Sequence, residues 1–212
     1  MLEWMRQNSD LLSTFANYGT LLVWVFYAQL LYSGFRRQRR PRILINKGVG
    51  SRDLDSPCLI CNMSQESIFI QFIMVRLKTN QGTYSVPATD PEEGAVPEED
   101  VSTATRQGPL APGSCFRLRS FERLLTKAAA EADIETDGHI PTDPEIEFQK
   151  LELCVVYIYG PQDEPLGASR EFDFRCDRDR KTISLSPSSI DTHRMTSMKH
   201  RRLIKSWLRT HL

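Results

Sequence analysis

The sequence has no excess of either charge, because 27 Lys and Arg residues are balanced by 27 Asp and Glu residues. This balance excludes a globally basic nucleic-acid-binding protein and a globally acidic tail protein. Cysteine is also scarce: five residues in 212 are too few and too unevenly spaced for a disulfide scaffold. Hydrophobic residues make up 40% of the chain, so most of it is expected to fold.

The common catalytic motifs are absent. There is no HExxH zinc motif and no GxSxG nucleophile elbow. Gly48 and Gly50 lack the Lys-Ser/Thr ending of a phosphate loop and the third glycine of a dinucleotide fingerprint. The sequence therefore supports no particular enzyme and no cofactor, and a membrane-anchored enzyme with its site on loops stays an alternative.

One stretch near the start contains no charged residue. Residues 11–35 include no Asp, Glu, Lys, Arg or His. A helix of this length extends about 37 Å, more than the roughly 30 Å of a bilayer's hydrocarbon core. The stretch therefore predicts a transmembrane helix, after an external N-terminal segment at residues 1–10. Trp24 and Tyr32 are its expected lipid-contacting aromatic residues.

A cluster of arginines follows this stretch. The cluster, at residues 36–42, consists of Arg36, Arg37, Arg39, Arg40 and Arg42. Basic residues stay on the cytoplasmic side of a membrane, so the N-terminus is predicted outside and the remaining chain in the cytoplasm, as in a single-pass protein of the bacterial inner membrane. We expect contacts with anionic lipid headgroups. No aromatic residues are interleaved with the arginines, so no nucleic acid is expected.

Beyond the arginines, residues 43–190 show short alternating apolar runs that are typical of β-strands. Strands are predicted at 41–46, 58–63, 68–79, 82–86, 115–120, 148–159, 171–176 and 182–185. A bulge is expected between Phe72 and Val75. Turn residues separate the strands, which favours a mainly β, antiparallel β-sandwich-like cytosolic domain over a doubly wound fold.

Two helices and one flexible loop complete this prediction. The first helix covers 121–132 with Ser120 as its N-cap. An acidic, proline-containing loop within residues 88–110 is expected to be a flexible, solvated linker, with pairing to the basic C-terminal helix of the same chain as the alternative. The C-terminal segment 191–212 predicts a basic amphipathic helix that contains Trp207. Its apolar face would either dock on the β domain or lie on a membrane surface, and Trp207 leaves bulk water in both cases.

Two short motifs contain residue types that bind metal ions. Asp133, Glu135 and Asp137 resemble the start of a calcium-binding EF-hand loop, but Pro144 stands where the loop needs its bidentate glutamate. They stay a weak calcium candidate. The Cys58-x-x-Cys61 pair lies in a predicted strand, where residues three apart point to opposite faces. Both cysteines are therefore expected to be small, reduced core residues.

The segment Leu59-x-x-Asn62-x-Ser64 followed by Ile68-x-Ile70 resembles the paired early strands of bacterial immunoglobulin-like modules. The whole chain is similar to uncharacterised bacterial single-span membrane proteins with a cytosolic immunoglobulin-like β domain. This resemblance implies a location and no catalysis.

From the sequence alone we therefore predict a membrane-anchored, non-catalytic interaction or scaffolding module. Its partners would be the lipid bilayer, an unknown membrane or cytosolic protein, and other copies through the transmembrane helix. A membrane-anchored enzyme and a calcium-responsive module are the alternatives.

Overall fold

The structure is a computed structural model that describes residues 8–38, 40–48, 54–88, 107–160, 164–177 and 182–211. The chain divides into two compact units, Met1–Arg40 and Pro41–Leu212. The described part of the first unit is dominated by one helix, α1, at Ser9–Gln38. All the described strands and the two other described helices belong to the second unit.

Helix α1 does not meet the requirements of a membrane span. Among the described residues, no helix combines the length and the apolarity that crossing a bilayer requires. The predicted transmembrane helix at 11–35 is therefore wrong, and the single-pass inner-membrane location is not supported. The physical reason is that a stretch without charges is not necessarily apolar, because Asn17, Thr20, Gln29 and Ser33 dilute its hydrocarbon side chains.

The residues predicted to contact lipid depended on that span. Trp24 and Tyr32 are exposed on α1. Arg36 and Arg37 lie in its last turn, Arg39 lies outside the described residues, and Arg40 follows the helix. Without a span, these arginines carry no information on sidedness.

The second unit is mainly β, and all its strand pairs are antiparallel. The strands are β1 Ile43–Lys47, β2 Pro57–Asn62, β3 Ile68–Thr79, β4 Thr83–Pro87, β5 Gly108–Leu110, β6 Cys115–Ser120, β7 Thr136–Asp137, β8 Ile140–Pro141, β9 Phe148–Tyr159, β10 Leu166–Asp177, β11 Thr182–Pro187 and β12 His193–Arg194. The helices are α2 Phe121–Glu131 and α3 Met198–His211. The N-cap prediction for α2 is confirmed, because Ser120 Oγ accepts a hydrogen bond from the Arg123 backbone amide.

The strands form a small sheet, a large sheet and a short hairpin. The small sheet has the order β1-β2-β6, and the large sheet has the order β11-β10-β9-β3-β4, with β12 beside β10 and β5 beside β3. The hairpin is β7-β8. Strands β3 and β9 are central, and over part of their length they bury apolar side chains on both faces, as expected for strands covered on both sides. The β3–β9 register shifts between Ile70 and Phe72, slightly earlier than the predicted bulge.

The large sheet is covered on both faces, which gives three layers instead of the predicted two. The main core lies between its inner face, the small sheet and α2, and it includes Ile45, Ile60 and Phe121. A second cluster on the outer face includes Phe72, Val156 and the α3 residues Ile204 and Trp207. Helix α3 therefore docks on the β domain, which was the first of the two alternatives.

Arg170 on β10 links the two sheets. Its side chain is inside the core, with 5% of the residue exposed. The guanidinium Nη1 donates to the carbonyl of Ile45 at 2.6 Å and to Asn46 Oδ1 at 3.0 Å, both on β1. Nη2 donates to the carbonyls of Ser189 and Ile190, each at 3.0 Å. One cation thus holds strand β1 and the turn after β11 against β10.

The cysteines correct the prediction of reduced core thiols. Cys61 on β2 and Cys115 on β6 stand opposite each other and form a disulfide across a sequence separation of 54. Cys58 and Cys154 are free and buried. Burial raises the pKa of the Cys58 thiol to about 12 and that of Cys154 well above its usual range. These two thiols therefore lack the thiolate character of a nucleophile.

Candidate interaction surface

A close contact at Gly167 sets the position of α3 on the large sheet. A Cβ atom added at Gly167 would lie 2.7 Å from Cδ1 of Ile204 and 2.9 Å from Sδ of Met195. The absence of a side chain therefore lets the helix approach the strand. The backbone amide of Met195 donates to the Gly167 carbonyl at 2.9 Å. Trp207 packs edge-on against Phe72, with ring centroids 6.1 Å apart.

This docking directs a row of cations away from the domain. Helix α3 contains five basic residues and no acidic residue. At 100° per residue, Arg202, Lys205 and Arg209 lie on the side opposite Ile204 and Trp207. All five basic side chains are exposed: Lys199, Arg201, Arg202, Lys205 and Arg209. We call these five residues the basic helix face.

Little in the described part of the chain neutralises the basic helix face. Glu164 is 3.2 Å from Arg201 Nη1 and 3.9 Å from Lys205 Nζ. Lys199, Arg202 and Arg209 form no ion pair with any residue that the structure describes. Within the described residues, three cations of this face thus lack an internal anionic partner.

A second charged group lies on the same sheet face but is neutralised internally. Arg76 Nη1 contacts Glu152 at 2.8 Å, and Lys78 pairs with both Glu152 and Glu171. Lys150 Nζ is 2.9 Å from Glu171 and 3.6 Å from Asp173. We call these six residues the charged ladder. Its hydrogen-bonded ion pairs lower the pKa of Glu171 and raise that of Lys150.

The charged ladder allows a prediction of pH dependence. The folded-state pKa of Glu171 is lowered, so the ion pairs of ionised Glu171 stabilise the folded state. This stabilisation is complete above the unfolded-state pKa near 4.5 and is lost as the pH falls through the folded-state pKa. Glu171→Gln is therefore expected to cost less than about 1 kcal/mol at pH 7, because these ion pairs are partly solvated. Urea unfolding at pH 7 and pH 3 should show a smaller difference from wild type at pH 3 than at pH 7.

Glu131→Gln, at an exposed position near the end of α2, is the matched control and should show no such difference. A Glu171→Gln effect of equal size at both pH values would contradict the ion-pair account.

The predicted calcium residues are not brought together. Asp133 adopts a positive φ of 52° after α2, and Asp137 lies in the β7-β8 hairpin. His139 in that hairpin contacts Glu122 at 3.0 Å. Within the described ranges, no three His, Cys, Asp or Glu side chains are grouped as a metal site. Asp133, Glu135 and Asp137 therefore do not form the predicted ligand set.

Some elements of the interaction surface were missed in the sequence. Trp207 and the basic residues of α3 were identified from their helical spacing, whereas Glu164 and Gly167 were not. Gly167 lies in the part of β10 that was not predicted, where Gly-Ala-Ser lacks β-propensity. The alternating charges Lys150/Glu152 and Glu171/Asp173 were a signal for the charged ladder, because alternate residues share one face of a strand.

The fold and this surface together define a three-layer β domain with a docked basic helix. Comparison with protein-family models, with curated proteins and with solved structures finds no match to this chain. The resemblance to immunoglobulin-like modules stays a prediction. Asn62, one of the residues on which it rests, has a structural role here, because its side-chain amide donates to the carbonyls of Glu66 and Leu110.

Proposed function

We propose that the protein is an interaction module whose basic helix face binds an acidic segment of a partner protein. The observation that supports this proposal is a helix with five basic and no acidic residues, fixed by its apolar side so that Arg202, Lys205 and Arg209 face outward. The one described acidic side chain that pairs with this helix is Glu164.

The geometry favours an acidic polypeptide over other anions. Lys199 and Arg209 are ten residues apart, which is about 15 Å along a helix. An extended peptide of about five residues has the same length. Binding of single-stranded nucleic acid uses exposed aromatic rings for stacking, whereas Trp207 is only 8% exposed and packs inward. Docked in this way, α3 offers a partner charges rather than a stacking surface.

A peptide titration tests the proposal. A fluorescein-labelled peptide of eight glutamates should bind the full chain, and octalysine with the same label should not. Arg202→Glu combined with Arg209→Glu should weaken binding by more than about tenfold, because two attractive contacts become repulsive and each contributes roughly 0.5 kcal/mol. Fluorescence anisotropy in low salt measures the dissociation constants of the wild type and of the double variant. Binding should be abolished in 1 M salt.

The matched control is Arg117→Glu combined with Arg123→Glu, which makes the same charge change at exposed positions on β6 and α2. Equal weakening by both double variants would show a non-specific charge effect and contradict the assignment to α3. Absence of binding by wild type would contradict it as well.

A further inference from the structure

A short row of apolar side chains lies beside α3 on the large sheet. It consists of Ile158 on β9, Phe69 on β3 and Pro109 on β5, and the strand register places Phe69 opposite each of the other two. Phe69 is 47% exposed, Pro109 is exposed and Ile158 is partly exposed. We call these three residues the apolar row.

The alternation of side chains places the apolar row on the face that carries α3. The chain neighbours of Phe69 and Ile158 all belong to the main core: Ile68, Ile70, Tyr157 and Tyr159. Because side chains alternate across a strand, Phe69 and Ile158 point to the outer face. Val156 belongs to the cluster under α3, and Ile158 is the next outer-face residue of β9, about 7 Å further along the strand. The apolar row therefore borders the helix.

Two cations of the basic helix face lie on the side of α3 next to this row. Glu164 contacts Arg201 and Lys205, and it comes two residues before β10 begins. The first residue of β10 is paired with Tyr157, the neighbour of Ile158 on β9. Glu164 and the two cations are therefore at the same end of the sheet as the apolar row.

The apolar row and α3 run in the same direction across the strands. Ile204 of α3 lies over Gly167 on β10, and Trp207 packs against Phe72 on β3. The apolar row likewise extends from β9 across β3 to β5. A polypeptide segment that lies along α3 can therefore contact its cations and the apolar row together.

We propose that the acidic segment of the partner protein also carries large apolar side chains, which pack on the apolar row. This inference rests on the proposed function and specifies the partner further. The five cations beside the row select an acidic occupant by charge complementarity. Two strand spacings make the row about 10 Å long, and alternate side chains of an extended peptide are about 7 Å apart on one face. Two apolar residues at alternate positions therefore fit the row.

Two fluorescein-labelled peptides of ten residues test this inference on the full chain. Each contains eight glutamates, with leucines at positions 4 and 6 in one peptide and serines there in the other. Wild type should bind the leucine peptide about tenfold more tightly, because its leucines bury apolar surface on the row. Fluorescence anisotropy in low salt measures both dissociation constants.

The variant Phe69→Thr assigns this preference to the apolar row. Threonine keeps a β-branched side chain in the strand, so the affinity for the serine peptide should be unchanged, whereas the preference for the leucine peptide should fall below about threefold. The matched control is Ile190→Thr, at a 91% exposed position in the turn after β11. It removes apolar surface outside the row and should keep the tenfold preference.

Photo-cross-linking locates the peptide without a substitution in the protein. A leucine peptide with benzoylphenylalanine at position 4 is irradiated with wild type, and mass spectrometry should find the label at the apolar row on β3, β5 or β9. A label confined to other parts of the chain overturns the inference.

The outcomes separate this inference from the proposed function. Equal binding of the two peptides by wild type overturns the inference and leaves the proposed function standing, whereas failure of both peptides to bind contradicts the proposed function itself. Equal loss of the preference in Phe69→Thr and Ile190→Thr overturns the assignment to the row. A wild-type dimer in light scattering that Phe69→Thr converts to a monomer assigns the row to a second copy and overturns the inference as well.

Discussion

Replacing Arg170 with methionine is expected to lower the free energy of unfolding by about 3 to 5 kcal/mol. Its guanidinium donates to three backbone carbonyls and one amide oxygen, which come from β1 and from the turn after β11. Methionine fills much of the volume but donates no hydrogen bond. The Ile45 carbonyl would stay buried without its donor, at a cost of about 1 to 3 kcal/mol, and the three partly buried acceptors would lose hydrogen bonds that contribute about 0.5 to 1.5 kcal/mol each.

An opposing effect has to be weighed against this loss. Burial lowers the pKa of Arg170, which shows that the charged form is poorly solvated in its site. Removing a buried charge relieves that penalty, and some proteins become more stable when a buried ion pair is replaced by apolar residues. In those cases both partners are removed, whereas here the acceptors, three backbone carbonyls and the Asn46 side chain, remain. The loss of hydrogen bonds is therefore expected to dominate.

Urea unfolding measures this effect, with two matched variants. Arg170→Lys keeps the charge but cannot span four acceptors with one nitrogen, so it should fall between wild type and Arg170→Met. Arg175→Met, at an exposed position on the same strand, should change the stability by less than about 0.5 kcal/mol. An Arg170→Met protein as stable as wild type would show that desolvation and hydrogen bonding cancel.

The strands could be predicted from sequence where apolar side chains carry the signal. Strands β3 and β9 were located at their observed bounds because β-branched, aromatic and other apolar residues recur along each of them. The first half of β10 was missed because Gly167, Ala168 and Ser169 have low β-propensity. They form a strand because β9 supplies hydrogen bonds across the pair, an effect of tertiary contact that no local pattern contains.

The two largest errors of the sequence prediction concern the transmembrane helix and the disulfide. Residues 11–35 lack charge but are not uniformly apolar, because Asn17 and Gln29 interrupt the segment. The disulfide was missed because Cys61 and Cys115 are distant in the sequence, and strand order decides that they meet. The basic face of α3 could be predicted because helical spacing alone places Trp207 opposite Arg202 and Arg209.

Trp207→Ala is expected to release α3 from the sheet and to cost about 3 kcal/mol, near the lower end for removal of a large aromatic side chain. The cluster under α3 is separate from the main core, so this loss should appear as local opening of the helix rather than as unfolding of the domain. Cys154 lies in that cluster and is fully buried. Its alkylation by N-ethylmaleimide, followed by mass spectrometry, should therefore become about a hundredfold faster.

The same substitution tests whether docking organises the interaction surface. Trp207→Ala changes no charge, yet binding of the glutamate peptide should weaken, because an undocked helix no longer holds Arg202, Lys205 and Arg209 in one outward row. Met198→Ala, at an exposed position on the same helix, should change neither the alkylation of Cys154 nor the peptide affinity. If Cys154 becomes reactive while peptide binding is unchanged, the cations act through their charge alone and the docked geometry is not required.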